Sequence, residues 1–291
     1  MKLSSGRICL LAVIIVLPPI AAVADPELDP ELEGLPITAI HVNRNDIFDT
    51  SDPKTDAWFY RWANALHIVS KEDFIRSMLL FKEGDPYSAS IAAESARVLR
   101  QLGIMNPVHI TAERIDDGVE VTVETRDQWT LKAGAKLGIF GDRTSYHVDF
   151  EEENLVGWGK AVSVVYESDN ERSSWAFGYF DPNVFNSRWR VNLVHADLSD
   201  GFTDEFVIDR PFYSLATPWT WGAAGLRQEL FNHLYSQSQS VVEGLHQTER
   251  MSIWGGGRLP GNGVVTRRLV AGWEYRQHLY SDWIWEEGGE L

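Results

Sequence analysis

The feature that most constrains the fold is an alternation of apolar and polar residues that runs from Trp129 to residue 277. In residues 129–139 the odd positions hold Trp, Leu, Ala or Ile, whereas the even positions hold Thr, Lys or Gly. Because successive side chains of a strand point to opposite faces, this period of two predicts β-strands whose two faces differ. The pattern recurs in segments 146–151, 162–167, 174–179, 188–197, 203–210, 218–229, 239–256 and 264–277. Turn sequences such as FGDR, SDNE and LSDG separate the earlier segments, which predicts an antiparallel meander of eight or nine strands.

Two architectures fit such a meander, a soluble β-sandwich and a transmembrane β-barrel. The sandwich is the more common explanation of alternation in general. Here, however, Trp, Tyr and Phe concentrate toward the strand ends on the apolar face, as in the aromatic girdles of outer-membrane barrels. The opposite face mixes small and charged residues, and strands of about ten residues suit a tilted membrane crossing. These features favour the barrel.

The N-terminus has the features of a secretory signal peptide. Two basic residues precede an apolar stretch, residues 8–20, and Ala22-Val23-Ala24 forms a small-x-small cleavage site. The apolar stretch is short for a membrane span, so we expect residues 1–24 to be removed on export. The single cysteine, Cys9, would leave with them, and the mature chain would then contain no disulfide.

The charge of the chain argues against a nucleic-acid partner. Without residues 1–24 the chain has 24 basic residues against 42 acidic ones, a net charge of −18. Nucleic-acid binding depends on clustered Lys and Arg, which this chain lacks. The acidic character begins with residues 25–36, where three prolines and the absence of periodicity predict an extended leader.

Residues 37–127 follow a different pattern, β-α-α-β-β. Residues 37–42 predict a first strand, and an inserted loop and short amphipathic helix follow at 45–68. The two last strands are predicted at 108–113 and 118–126. Two further helices are predicted between the inserted segment and the strand at 108–113. Each has one apolar stripe, so both should cover the same face of a three-stranded sheet.

The first of these helices ends in the segment LLFKEGDPYS, residues 79–88. The apolar spacing predicts a helix over Ser70–Phe81, with Ser70 and Asp73 as a capping box. Gly84 is expected to end this helix in the left-handed conformation, and Asp85 with the following proline turns the chain.

The second helix is expected to begin after Ser88, a good N-cap residue, and to end at Gly103. Its buried face should consist of four apolar residues: Ile91, Val98, Leu99 and Leu102.

The helix-break-helix signature of a POTRA domain resembles one segment of this chain, LLFKEGDPYSASIAAESARVLRQLG. The barrel that follows a POTRA domain in that family resembles three later segments: RDQWTLKAGAKLGIFG, FEEENLVGWGKAVSV and DRPFYSL. Over residues 37 to about 280 the chain is therefore similar to the BamA/TamA-type outer-membrane assembly and translocation family, in a form with a single POTRA domain and a surface-antigen-type barrel. Family barrels have sixteen strands, and this chain ends WIWEEGGEL rather than in a strand with a terminal aromatic residue. We expect residues 128–291 to be the N-terminal part of such a barrel, in a truncated member of the family. A complete barrel of eight strands is the alternative.

The resemblance implies a location in the outer membrane of a Gram-negative bacterium, with the POTRA-like unit in the periplasm. It implies neither an enzyme activity nor a cofactor. The implied partners are outer-membrane lipid, unfolded client polypeptides and accessory periplasmic proteins. Clients would be helped to insert or cross by β-strand addition at a sheet edge. A passive pore or structural barrel with a scaffold domain is the alternative, and a soluble periplasmic binding module is a third possibility.

Candidate client-binding residues follow from the edges that this family topology implies. In the POTRA-like unit the outermost strand would offer Val108, His109, Ile110, Thr111 and Ala112. In the first barrel strand the candidates are Leu131, Gly134 and Gly138. The two glycines would either weaken strand pairing or allow close packing and curvature. Gly84, Asp85, Ser88 and Gly103 are structural residues of the POTRA-like pattern.

Motifs of covalent or metal chemistry are missing from the sequence. It contains neither a G-x-S-x-G nucleophile elbow nor an H-E-x-x-H metal motif, and its eight histidines are scattered. The sequence therefore predicts neither catalytic residues nor metal ligands.

Overall fold

The computed structural model describes residues 7–13, 30–55, 57–141, 143–236, 239–260 and 266–285. It contains a small three-stranded sheet with helices, followed by one large antiparallel sheet. None of the described helices is long and apolar enough to cross a membrane.

The small sheet and its helices form the POTRA-like unit. In chain order, after strand β1 (Arg7–Val13), the elements are β2 (Ile37–Asn45), α1 (Trp58–Leu66), α2 (Glu72–Met78), α3 (Ala89–Gln101), β3 (Met105–Ile115) and β4 (Gly118–Asp127). The strand order is β2-β4-β3, with β2 parallel and β3 antiparallel to β4. The predicted β-α-α-β-β arrangement is confirmed.

The core of this unit lies between helices α2 and α3 and the sheet. Ile75 and Leu99 bury their side chains completely, against Val121 and Val123 of the central strand. Together with the other buried apolar residues, these side chains supply the hydrophobic free energy that holds the unit together. They follow the helical and strand periodicities read from the sequence.

Helix α2 is shorter than predicted and is capped differently. It ends at Met78 instead of Phe81, because two long-range side chains satisfy the next backbone groups. Arg188 donates to the Leu79 carbonyl at 2.6 Å, and the Leu80 amide donates to Ser95 Oγ at 3.0 Å. The predicted capping box is also wrong.

The Ser70 side chain is engaged elsewhere. The N-cap residue of α2 is Lys71, and the Ser70 hydroxyl donates to the carboxylate of Asp127. Gly84 has the predicted left-handed conformation, with φ of +88°, but it does not end the helix. It lies in a turn in which Lys82 and Asp85 bond each other, and its amide donates to Ile37 of β2.

Helix α3 begins after Ser88 and is followed by Gly103 in the left-handed conformation, as predicted. The Ser88 side chain makes no cap, however; Glu33 accepts from the first helical amide, that of Ala89, at 2.9 Å. Ile91 is exposed rather than buried, a second difference from the prediction. Five other residues form the buried stripe: Ala92, Ser95, Ala96, Val98 and Leu99.

The large sheet is a meander of nine strands in which each strand pairs with the next. They are β5 (Leu131–Phe140), β6 (Arg143–Glu152), β7 (Ala161–Ser168), β8 (Ser173–Val184), β9 (Trp189–Leu198), β10 (Gly201–Arg210), β11 (Trp219–Ser236), β12 (Gln239–Leu259) and β13 (Arg267–Trp285). The sheet is open in the described chain, since β5 pairs only with β6. The last three strands extend beyond their predicted ends. The fold is thus a POTRA-like α+β unit followed by an open antiparallel sheet of the barrel type.

The two faces of the large sheet differ as the alternation predicts. Cross-strand partners share a face, and the register places the exposed large apolar side chains together. We call this surface the apolar belt; it includes Leu137, Ile139, Val148, Phe150, Phe177, Leu193, Phe206, Met251, Ile253 and Trp273. The opposite face carries small, polar and charged residues such as Lys136, His147 and Asp149. An exposed apolar band of this kind is typical of the lipid-facing side of a transmembrane barrel.

Candidate functional site

The first candidate edge belongs to β3 in the POTRA-like unit. β3 pairs with β4 on one side and, among the described residues, with no strand on the other. Along it, Val108 and Ile110 are buried against the core, whereas His109 is exposed. The Val108 carbonyl already accepts a hydrogen bond from Arg100 at 2.9 Å. The open stretch of this edge therefore follows Val108.

The opposite edge of the same sheet, strand β2, is covered. The Gly84 amide donates to the Ile37 carbonyl at 2.8 Å, and the Ile40 amide donates to the Glu83 carboxylate at 3.2 Å. Arg76 donates to the Ile40 carbonyl. Because these contacts occupy backbone groups of Ile37 and Ile40, the first half of the β2 edge is covered, and β3 is the more open edge of this sheet.

The second candidate edge is β5, where the sequence singled out Leu131, Gly134 and Gly138. All three lie in the strand that has one neighbour in the described sheet. A Cβ at Gly134 would lie 2.4 Å from the Asp149 carboxylate, and one at Gly138 would lie 2.4 Å from Ser145 Oγ. The glycines thus make room for side chains of the neighbouring strand, which supports close packing as the reason for their presence.

The far edge of the large sheet carries an added strand. Residues Arg7–Val13 pair antiparallel with β13 in continuous register, from Arg7 opposite Arg276 to Val13 opposite Val270. This segment belongs to the expected signal peptide, and its removal on export stays a prediction. The pairing shows that the edge of β13 accommodates an extended seven-residue segment.

A buried polar cluster joins the POTRA-like unit to the large sheet. Asp127 Oδ2 accepts hydrogen bonds from the Ser70 amide at 2.7 Å and the Ser70 hydroxyl at 3.0 Å. His67 Nε2 lies 2.8 Å from the same oxygen, and the side chains of His67 and Asp127 are 5% and 0% exposed. Asn154, in the β6–β7 turn, donates from Nδ2 to Ser70 Oγ at 3.0 Å. A carboxylate at the end of β4 therefore holds both α-helical and barrel-side segments.

A second set of contacts joins helix α2 to the turns of the large sheet. Besides bonding Leu79, Arg188 lies 5.1 Å from the Tyr213 ring centroid in a cation-π contact. Asn183 donates to Ser77 Oγ at 2.8 Å. Burial lowers the pKa of the Arg188 guanidinium. These contacts fix the unit at the end of the sheet where β5 begins.

Sequence reasoning missed the residues of this junction. Asp127 and Asn154 had no role in the predictions, and Arg188 was read only as part of a strand. Their partners are distant in sequence, by 84 positions for Asn154 and Ser70 and 109 for Arg188 and Leu79. Local patterns carry no signal of such pairs. Within the described ranges, no group of three or more His, Cys, Asp or Glu is arranged to hold a metal ion.

Known proteins are similar to this chain in part. No protein-family model matches the chain. It is 28% identical over 125 residues to outer membrane protein assembly factor BamA of Neorickettsia risticii (strain Illinois), a match that covers 40% of this chain and 16% of that protein. The matched part therefore spans only a small share of the relative's length.

Two solved structures are also similar. BamA from Haemophilus ducreyi lacking POTRA domains 1–3 has a TM-score of 0.46 and 10% identity, with 94% of this chain and 60% of that chain covered. CdiB from Acinetobacter baumannii has a TM-score of 0.42 and 8% identity, with 89% and 54% covered. Over the matched 125 residues, the chain is thus similar in sequence to an outer membrane protein assembly factor.

Proposed function

We propose that the protein assists the insertion or translocation of unfolded client polypeptides at the outer membrane and binds them by β-strand addition. The observation that carries this proposal is the open edge of β3, opposite an edge that hydrogen bonds cover. Unpaired N–H and C=O groups along such an edge bind an extended segment of almost any sequence. The sequence similarity to BamA, an outer membrane protein assembly factor, supports the same function.

The two strands that carry the open edges both begin at the junction. Met105, at the start of β3, is paired with Asp127, the last residue of β4, and the Gln128 amide donates to the Ile104 carbonyl at 2.9 Å. Only residues 128–130 separate β4 from β5. A client strand bound at β3 would thus lie close to the first strand of the large sheet. We place the POTRA-like unit in the periplasm, where clients and accessory proteins would arrive.

The backbone-edge proposal can be tested by photo-crosslinking with a matched pair of histidines. A photoreactive amino acid at His109 on the open edge should capture a denatured small outer-membrane barrel protein. The same residue at His41, which is also exposed but lies on the covered strand β2, should capture much less. Equal capture at both positions would contradict client binding at the β3 edge.

Insertion itself is measured by adding the full chain to bilayers and following the folding of a denatured small barrel. We expect faster folding than in bilayers without the protein. Folding at the rate of the empty bilayer, together with measurable ion conductance, would instead support the passive pore.

A further inference from the structure

Helix α1 carries an apolar surface that no described part of the molecule covers. It buries none of its residues. Trp58 and Trp62 are 79% and 60% exposed, and Phe59 and Leu66 are also exposed. At 3.6 residues per turn these four side chains fall within an arc of about 100°. An exposed cluster of large apolar side chains marks an interaction site with a protein or a membrane.

The opposite face of α1 is attached to the rest of the unit. Asn64 Nδ2 donates to the Phe48 carbonyl at 2.8 Å, and the Phe48 amide donates to Asn64 Oδ1 at 3.2 Å. The Tyr60 and Phe48 rings lie 4.5 Å apart. His67, just after the helix, is held by Asp127. These contacts fix the rotation of the helix, so its Trp-rich face points away from the unit.

The apolar face of α1 is continuous with the apolar belt. Leu66 and Ile68 line a shallow groove of about 160 Å³ together with Trp129, Leu131 and Val156. Leu131 shares its sheet face with the exposed belt residues further along β5, because residues two apart in a strand point the same way. The apolar surface on α1 and the apolar belt are therefore neighbours, and we expect both to be exposed to the same surroundings.

The charge around α1 favours one kind of partner. Arg61 is the helix's single charged residue, and the preceding loop contains Asp46, Asp49 and Asp52. This region offers no basic cluster to attract anionic headgroups. Trp side chains, in contrast, prefer the boundary between hydrocarbon and headgroups, where the ring is buried and the indole N–H stays hydrated.

We propose that α1 is an interfacial helix that inserts its Trp-rich face into the neutral headgroup region of the bilayer, in the leaflet next to the POTRA-like unit. This proposal rests on the lipid-facing role of the apolar belt. Because His67 and Asp127 tie the end of α1 to the junction, insertion would set the height and tilt of the POTRA-like unit relative to the membrane. The open edges of β3 and β5 would then be held at a fixed distance from the lipid surface.

The test uses single-cysteine variants of the full chain in phosphatidylcholine–phosphatidylethanolamine vesicles. With Cys9→Ser as background, an environment-sensitive fluorophore is attached at Trp62→Cys, at Leu137→Cys on the belt, or at Glu113→Cys on β3. Lipids with a spin label at the headgroup or deep in the acyl chain quench the fluorescence, and iodide reports access from water. Trp58→Cys repeats the α1 measurement at a second exposed position.

At Trp62→Cys we expect loss of fluorescence mainly with the headgroup quencher, and no change at high salt because the insertion is apolar. Leu137→Cys should respond to the deep quencher and Glu113→Cys to iodide alone.

Iodide access at both α1 positions with normal quenching at Leu137→Cys would overturn the interfacial helix but leave the membrane assignment intact. Protection from iodide without lipid quenching would assign the surface to a protein or a second copy, and would also overturn it. Absence of lipid quenching at Leu137→Cys as well would overturn the membrane location itself.

Discussion

At the scale of single residues, Asp127 is the residue of the junction at which the contacts of Ser70 and His67 meet. Its Oδ2 bonds Ser70 twice and lies against His67, while its Oδ1 is buried without a hydrogen-bond partner among the described residues. A buried carboxylate loses its hydration and depends on these partners. The Oδ2 atom of Asp127 therefore fixes the conformation of the 67–70 segment. Through Ser70 it also fixes the position of Asn154.

We predict that Asp127→Ala destabilises the POTRA-like unit by about 3–5 kcal/mol, because it leaves the His67 ring and the Ser70 amide buried without their acceptor. The matched control is Glu120→Ala, which breaks the exposed pair with His41 and should cost less than about 1 kcal/mol. Hydrogen exchange of the β4 amides in the full chain measures both. Equal protection in the two variants would show that the cluster does not stabilise the junction.

Two glycines allow a second comparison at this scale. Gly84 and Gly159 both have positive φ, +88° and +62°. A Cβ at Gly84 would contact nothing within 4 Å, whereas one at Gly159 would lie 2.1 Å from the Phe74 ring. The Gly159 amide also donates to Asn154 Oδ1 at 2.8 Å, so its position belongs to the junction.

We expect Gly84→Ala to cost only the backbone strain of the left-handed conformation, about 1–2 kcal/mol, and the β-branched Gly84→Val to cost more. Gly159→Ala should add to the same strain the displacement of the buried Phe74 ring, and should therefore lower the melting temperature further. Melting of the full chain followed by near-ultraviolet circular dichroism distinguishes the two. A larger fall in melting temperature for Gly84→Ala than for Gly159→Ala would contradict the close contact between Gly159 and the Phe74 ring.

At the scale of elements, the sequence located the helices and strands but not their ends. The period of two identified all nine strands of the large sheet, because alternation is a local property of a chain with two different faces. The end of α2 was predicted wrongly, since Arg188 and Ser95 lie outside any local window and take over the bonds that a further helical turn would make. The edges could be named only through the family resemblance, and the covering of β2 by the 82–85 turn became visible only in three dimensions.

The contact between α2 and the β8–β9 turn gives a prediction at this scale. Arg188→Ala removes a charged hydrogen bond to Leu79, worth about 1.5–3 kcal/mol, together with the contact to Tyr213. We expect faster deuterium uptake in α2 and in residues 79–82. Arg172→Ala is the control, because it removes an equally direct ion pair between the β7–β8 turn and Asp200 in the β9–β10 turn. If α2 exchanges equally in both variants, Arg188 does not hold the helix.

At the scale of the whole molecule, the elements are ordered along one direction. The POTRA-like unit and its junction lie at the end of the sheet where β5 begins, and the apolar belt follows. On strands β9 to β12 a row of charged residues on the same face of the sheet follows the belt: His195, Asp204, Arg227 and Glu249, each opposite the next in register. A lipid layer would thus be bounded by this row on one side and by the junction with α1 on the other.

The far edge of the sheet supplies the prediction that concerns the chain as a whole. Removal of residues 1–24 would take away the strand that pairs with residues 270–276 of β13. We therefore expect the amides of this stretch that face β1 to exchange faster in the chain without residues 1–24 than in the full chain. The amides of β10, which is paired on both sides, should be unchanged.

Adding back a peptide of sequence RICLLAV should restore the protection, because an apolar extended segment replaces water at the free backbone groups. A scrambled peptide of the same composition distinguishes register-specific pairing from general affinity of the edge for apolar strands. Restoration by both peptides is the outcome that strand addition without sequence specificity requires. Equal exchange of residues 270–276 with and without residues 1–24 would mean that this edge does not hold an added strand. The client binding proposed at β3 and β5 does not depend on that outcome.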